Sequence, residues 1–276
     1  MKPEIFNAKQ LKLKGSTLSK NALSIISKLK SKKFKAYIVG GGIRDLIEGL
    51  VPKDFDIVTD CEPREIRKIF KNSRIIGRRF KLVHIVFPNE IIEVTTFRSG
   101  QDTDSDSIQI DDKGRIIRDN KWGTQEEDVV RRDLTINSIY FDPLSDEIVD
   151  YTGGVKDLEI KKIRFIGDAE KRIIEDPVRI LRVIRFAAKL NFEIEPSIKK
   201  AITKHRSQLL DMSSARIYEE IIKMFLFGHA LRAYQLLQEN HLFDLLFPHI
   251  LNSKDNFNHF YENAFKDTDQ RFLENK

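Results

Sequence analysis

The feature that most restricts how this chain can fold is a change of hydrophobic period partway along it. From about Glu175 onward, apolar residues recur at helical spacing through EDPVRILRVIRFAAKL, EPSIKKAITKHRSQLL, SSARIYEEIIKMFLFG and HALRAYQLLQENHLFDLLF, with short turns between them. Before that point the apolar runs are shorter and are broken by turn residues. AYIVG, DFDIVTD, RFKLVHIVF and EIIEVTTFR read as strands, the last two joined as a hairpin at Pro88-Asn89. Residues 20–33 read as an amphipathic helix with Ile25, Ile26 and Leu29 on one side. IRDLIEGL reads as a second helix ending near Gly49, and Glu62-Pro63 opens a third that shares Ile66, Ile69 and Phe70 on a face. The expected fold class is α+β: a head with a small mixed or antiparallel sheet, then an all-α neck and body. The expected division is an N-terminal arm and helix over 1–34, the head over 35–168, the neck and body over 169–250, and a polar segment over 251–276 that frays. The sequence contains no internal repeat.

Composition narrows the class. A chain of 276 residues with 41% hydrophobic content has room for a sizeable core. No run approaches the ~18 apolar residues of a membrane span, and the start, MKPEIFNAKQLKLKGS, lacks the apolar stretch of a secretory signal. The single cysteine, Cys61, excludes an internal disulfide and a cysteine-based zinc site, which fits a reducing, cytoplasmic compartment. Net charge is +6 with a pI near 9.2, a weak lean toward a polyanionic partner. The distribution says more. Between Cys61 and Glu90 there are eight Lys or Arg against three Asp or Glu, a stretch where a nucleic-acid backbone could run.

The chemistry concentrates in YIVGGGIRDLIEGLVPKDFDIVTD, residues 37–60. Gly40, Gly41 and Gly42 follow a strand and precede a helix, where bare backbone N–H groups can approach an anion. The pattern is neither a P-loop nor a Rossmann fingerprint. Arg44, one turn into the helix, either reaches a triphosphate or pairs with Asp45. Asp54 and Asp56 are two apart on an extended segment, so the pleat puts them on one face while Phe55 and Ile57 point to the core. Two adjacent carboxylates repel, a cost that a shared Mg²⁺ ion removes. Glu93 offers a third carboxylate, or is an exposed strand acid or an arginine partner. His84 reads as a structural histidine. Residues 99–128 are polar and turn-rich and read as a long loop. Its DTDSDS start has Ser107 and Lys113 where a calcium loop needs Gly and Glu, so an EF-hand is rejected. Trp122, on this loop, packs or stacks on RNA.

G-G-x-x-R-D followed by D-F-D-I-V-T resembles the signature of the class II tRNA nucleotidyltransferase/bacterial poly(A) polymerase family. Further blocks follow in the family's order. Arg131-Arg132-Asp133 in RRDLTINSIYFD resembles its ribose-reading block, Glu175-Asp176-Pro177-Val178-Arg179 its base-reading block, and SSARIYEEIIKMF its neck motif. The resemblance runs from about residue 20 to 250. It implies a polymerase-β-like nucleotidyltransferase head, two Mg²⁺ ions (Mn²⁺ as an alternative) on Asp54 and Asp56, and ATP as substrate. It implies that Gly41, Gly42, Arg44 and Arg132 hold the triphosphate and that Asp133 serves the ribose and assists the reacting hydroxyl. Asn137 is a supporting polar group.

Asp176 and Arg179, three apart on a helix that Pro177 helps to start, would share a face. An Asp acceptor beside an Arg donor complements the amine and ring nitrogen of adenine and cytosine and rejects guanine and uracil. Arg182, the next basic residue along that stripe, is expected to make a second phosphate or base contact with the nucleotide. IIGRRFKLVHI over 75–85 resembles the bacterial poly(A) polymerase branch, with Arg78, Arg79 and Lys81 placed for RNA phosphates. That branch implies addition of AMP to RNA 3′ ends. CCA addition to tRNA is the alternative, and an inactive RNA-binding remnant is a third reading. Family members usually continue well past this length, so the resemblance implies a truncated body with a weakened RNA grip. No membrane is expected as a partner, and the sequence points to no particular protein partner.

Overall fold

The structure is a computed structural model that describes residues 2–11, 13, 18–77, 81–99, 108–110, 116–119, 121–248 and 257–274. The chain divides into two compact units, Met1–Leu158 and Glu159–Lys276. Among the described residues no helix is long and apolar enough to cross a membrane.

The first unit carries β1 (Glu4–Asn7), α1 (Lys20–Ser31), β2 (Ala36–Val39), α2 (Gly41–Ile47), β3 (Asp56–Thr59), α3 (Pro63–Ile69), β4 (Ser73–Ile76), β5 (Leu82–Val86), β6 (Ile91–Thr96), β7 (Ile108–Ile110), β8 (Ile116–Asp119), α4 (Gln125–Arg131), β9 (Ile139–Asp142), β10 (Glu147–Asp150) and α5 (Gly154–Glu159). Eight of these strands form one sheet in the order β1-β10-β9-β2-β3-β6-β5-β4. Within this sheet, among the described residues, only β3 and β6 run parallel; α3, β4 and β5 lie between them in the chain. The sheet is mixed, as expected, but larger than the sequence suggests, because β1 and β4 extend it at both edges. α1 buries Ala22, Ile25, Ile26 and Leu29 and is capped by the Ser19 hydroxyl, which accepts from the Ala22 N–H. Each large aliphatic side chain buried this way contributes about 1.5–3 kcal/mol. Tyr37, Phe97, Tyr140 and Tyr151 pack as an aromatic chain with Val39, Val58 and Val129.

The stretch 99–128 is not a plain loop. β7 and β8 pair as a hairpin, and α4 begins at Gln125. A reciprocal capping box starts that helix: the Thr124 hydroxyl accepts from the Glu127 N–H, and the Glu127 carboxylate accepts from the Thr124 N–H. Ser107 and Lys113 lie outside the described residues.

The second unit holds β11 (Lys162–Ile163), α6 (Ala169–Glu175), α7 (Arg179–Leu190), β12 (Glu193–Ile194), α8 (Pro196–His205), α9 (Ser214–Phe225), α10 (Ala230–Glu239), α11 (Phe243–Leu246) and α12 (Phe257–Leu273). α7 is its centre, with Ile180, Leu181, Val183, Ile184, Phe186, Ala187 and Ala188 all buried. It ends at Asn191 in the left-handed region, φ 54°. Within the polar C-terminal segment expected to fray, Phe257–Leu273 instead forms α12. Phe265 stacks on Phe225 at 4.7 Å and lies 5.1 Å from Tyr234, while Tyr261 lies 6.0 Å from Phe243. Asp269 accepts from the Ala230 and Leu231 N–H groups at 2.6 and 3.0 Å, capping α10 from another helix. Tyr261, Phe265 and Asp269 are four apart, so one face of α12 carries both the apolar and the capping contacts.

Candidate active site

In the first unit the sheet register decides which carboxylates meet. Asp56 sits opposite Val39 on β2 and opposite Glu93 on β6, and Glu93 in turn is opposite His84 on β5. Neighbours across a sheet point to the same face, so Asp56 and Glu93 are adjacent. The Asp56 carboxyl is pushed up to about 6, first by the protein mass around it, then by the charge of Glu93, with Asp54 adding to the effect and Arg132 opposing it. The residue nevertheless keeps an exposed surface. Strand β3 begins at Asp56, so Asp54 stands two residues ahead on irregular chain instead of on the strand. The two acids still sense each other's charge. His84 Nε2 lies 3.6 Å from the Glu93 carboxylate.

The glycine turn abuts this row. Gly40 has φ 78° and ψ −140°, a backbone that side-chain-bearing residues rarely adopt, and a Cβ there would lie 3.7 Å from Asp56 Oδ2. A Cβ on Gly42 would come within 2.9 Å of the Asp54 carbonyl oxygen and 3.2 Å of the Phe55 ring. Gly42 therefore lets α2 press against the segment that bears the acids. Arg44 is not turned outward. It is 2% exposed, donating from Nε and Nη2 to Asp45 Oδ1 at 2.9 and 2.6 Å and from Nη1 to Asn137 Oδ1 at 2.5 Å. Asn137 Nδ2 in turn donates to Asp133 Oδ1 at 3.4 Å, and the Leu134 N–H donates to the same oxygen at 2.8 Å. Arg44 thus supports Asp133 through Asn137 from beneath.

Arg132 ends α4. Its Nε and Nη2 donate to Asp128 Oδ2 at 3.0 and 2.9 Å, its Nε also to the Tyr140 hydroxyl at 3.1 Å, and the guanidinium lies over the Tyr140 ring. Burial works against its charge, but Tyr140 and Asp128 outweigh that and keep it firmly cationic. Burial, in turn, holds the Tyr140 hydroxyl well above its usual range. Arg131 donates to the Ser99 carbonyl at 2.9 Å. Lys81 is half-buried; Arg78 and Arg79 lie outside the described residues.

The second unit departs from the expected helix face. Asp176 is extended, φ −155° and ψ 93°, at the end of α6, and α7 starts only at Arg179. Pro177 interrupts the helix, and a single turn in which the Arg179 N–H donates to the Asp176 carbonyl at 3.0 Å leads into α7. The Asp176 carboxylate accepts from Arg216 Nη2 at 2.7 Å and from the Val178 N–H at 3.3 Å. Arg179 Nη1 donates to Glu175 Oε2 at 2.7 Å and to the Arg172 carbonyl at 2.8 Å. Arg182 and Arg185 converge on the buried Glu220 at 3.5 and 2.7 Å. Both guanidiniums also lie against Phe186, at 5.5 and 4.2 Å.

Comparisons with known proteins identify the family. The family profile described as "Poly A polymerase head domain" covers residues 36–164, and the one described as "Probable RNA and SrmB- binding site of polymerase A" covers 191–253. The chain belongs to the class II tRNA nucleotidyltransferase/bacterial poly(A) polymerase family. It is 46% identical over 236 residues to the Poly(A) polymerase I of Salmonella typhi, covering 84% of this chain and 51% of that one. It is 34% identical over 221 residues to a CCA-adding enzyme of Lactobacillus helveticus, covering 80% and 53%. The crystal structure of the Bacillus stearothermophilus CCA-adding enzyme in complex with CTP superposes with a TM-score of 0.68 at 34% identity, over 80% of this chain and 52% of that one. The chain spans about half the length of these relatives.

Membership in the family gives the head its nucleotidyltransferase fold, and the acidic row suits a divalent cation. Asp54, Asp56 and Glu93 are hard oxygen donors; burial first, and then the charges of Glu93 and Asp54, raise the Asp56 pKa, a cost that cation binding offsets. Among the described residues, no group of three or more His, Cys, Asp and Glu side chains is drawn together closely enough to hold an ion as a set. Sequence reasoning missed Asp128, Tyr140, Arg216 and Glu220. Asp128 had a signal, standing four residues before Arg132 on a helix. Arg216 and Glu220 lie 40 and 35 residues from their partners and had none.

Proposed function

We propose that this chain adds AMP from ATP to RNA 3′ ends without a template. The observation that carries the reading is the row Asp54, Asp56 and Glu93 beside the Gly40–Gly42 turn, with the Asp56 carboxyl raised to about 6 by burial first and by the charges of Glu93 and Asp54 after it. Such a site favours a bound cation over a bound proton at neutral pH. Asp54 and Asp56 would hold two Mg²⁺ ions; such ions supply Lewis-acid activation of a hydroxyl and charge stabilisation of departing pyrophosphate. In the transfer, the RNA 3′-oxygen bonds to the α-phosphorus, the bond to the pyrophosphate oxygen breaks, and the hydroxyl proton is lost.

The chain's own residues position the substrates. The glycine turn accepts the triphosphate with its N–H groups, and Arg132, fixed by Asp128 and Tyr140, presents a permanent cation to it. Asp133, held through Asn137 by Arg44, accepts from the ribose. Asp176 and Arg179 read the base after exchanging their present partners for it, and Arg182 adds a further contact. Arg78, Arg79 and Lys81 hold RNA phosphates. The chain acts in the cytoplasm on RNA.

The higher identity to a poly(A) polymerase than to a CCA-adding enzyme supports AMP addition. CCA addition to tRNA is the second reading, favoured by the likeness to the CTP-bound structure. The test is incorporation of each NTP on oligo(A) and on tRNA lacking its CCA end, with Asp54→Ala as control. Tail growth from ATP alone on oligo(A) is expected. Completion of tRNA with CTP and ATP and no growth on oligo(A) would replace the reading with CCA addition. Negligible incorporation, unchanged by Asp54→Ala while RNA still binds, would mark an inactive RNA-binding remnant.

A further inference from the structure

The second unit has a cavity of about 340 Å³ that none of the roles above uses. The parallel pair β11/β12, the start of α8 and one face of α10 enclose it. Phe192, Ile194 and Leu236, each under 5% exposed, make an apolar floor. The rim is charged. Lys162, Lys199 and Arg232 bring three cations; Glu193, opposite Lys162 in the strand register, and Glu239 bring two carboxylates. Arg232 Nη1 is held 3.0 Å from Glu239 Oε1 across one face of α10.

This combination selects among ligands. An inorganic anion has no use for the apolar floor. An acidic peptide would meet Glu193 and Glu239. A nucleotide matches all three features: the base covers the floor, the phosphate meets the lysines, and an exocyclic amine donates to a carboxylate. The volume lies at the lower end of small-ligand pockets, suited to one nucleotide unit rather than a longer segment. Apart from Lys162, the lining lies within the span matched by the RNA-binding profile.

We infer that this cavity binds one adenylate unit, as a residue of the RNA chain upstream of its growing end. The choice of adenine rests on the proposed AMP addition; the nucleotide chemistry of the pocket does not. It would let a growing tail retain a foothold on the second unit between additions.

The test is fluorescence anisotropy of labelled oligo(A) and oligo(U) with the full chain in EDTA, so that no transfer occurs. Variants are Lys199→Glu and Glu239→Gln, both at exposed positions, with thermal unfolding as a check on the fold. Wild type is expected to prefer oligo(A). Lys199→Glu weakens oligo(A) binding about tenfold and lowers the salt slope by about one. Glu239→Gln narrows the A-over-U preference about threefold while sparing oligo(U). Competition with free AMP separates sources: displacement only by oligomers supports an RNA residue, whereas AMP displacing at equal concentration would overturn that assignment. Wild-type affinity and salt slope in both folded variants overturn the inference and leave the cavity to a protein partner. ATP incorporation measured in parallel keeps the two readings apart. Incorporation with unaltered pocket variants sinks only the pocket, and altered binding without incorporation sinks only the transfer reading.

Discussion

The two units treat charge in opposite ways. In the first, burial and then the charges of Glu93 and Asp54 make Asp56 resist ionising, and the protein leaves that cost in place. In the second, the acids and arginines expected to serve the nucleotide already have partners. Asp176 is held by Arg216, Arg179 by Glu175, and Arg182 with Arg185 by the buried Glu220. A site built to take a cation gains by being incompletely neutralised, because the ligand offsets that cost. A site built to discriminate between neutral bases works by exchange, so a wrong base that cannot replace the lost hydrogen bonds is disfavoured.

The sharpest way to break this contrast is at the acids. Asp54→Asn and Asp56→Asn should each lower nucleotide incorporation by roughly 10³-fold or more with little loss of fold. Wild-type turnover in either variant would remove the acidic row from the chemistry. Next in size is Glu220→Ala, which strips the shared partner from Arg182 and Arg185. Urea unfolding should show a loss of about 3 kcal/mol, against little change if those arginines were simply solvated. Asp269→Ala removes the cap that α12 places on α10 and should cost about 1 kcal/mol, seen as a lower unfolding midpoint.

Asp56→Asn supplies the pH test. The acid is held above its ordinary 3.8, near 6, in the folded chain. Between those values the folded state binds more protons than the unfolded one, so its contribution to stability falls as pH rises through the window. Without metal, the Asn variant should be more stable than wild type at pH 7 by about 1 kcal/mol after allowing for solvent screening, and equal to it below pH 4. An equal midpoint at pH 7 would mean that neither burial nor the neighbouring charges penalise the ionised carboxylate. The smallest effect expected is from Arg216→Ala. Its half-exposed ion pair should contribute less than about 0.5 kcal/mol to stability, while ATP binding tightens a few-fold as Asp176 is released. Weaker ATP binding would instead make Arg216 a positioning residue.

Much of the candidate site was legible because its parts are local. The glycine turn, Asp54, Asp56 and the Arg132-Asp133 pair are each written within a few positions, although β3 begins only at Asp56, leaving Asp54 on irregular chain, and Arg132 ends a helix that sequence reasoning missed. The Thr124–Glu127 capping box was also written locally and was passed over, since the polar stretch before it suggested a loop. The aromatic spacing of Tyr261 and Phe265 was likewise available, but it sat in a segment whose polar composition hid it. The Asp176–Arg179 expectation erred on a local matter as well: proline at position 177 starts a helix readily, but it also ends the one before it, leaving Asp176 between the two.

The sequence by itself determined that this is an α+β chain with an acidic pair beside a glycine turn, because backbone periodicity and side-chain spacing act over a few residues. Only the tertiary structure decided that Glu93 faces Asp56, that Arg44 is buried beneath Asn137, and that Arg216 and Glu220 hold the arginine and aspartate chemistry of the second unit. Those choices depend on strand register and helix packing, which bring together residues tens of positions apart and leave no periodic trace in the chain.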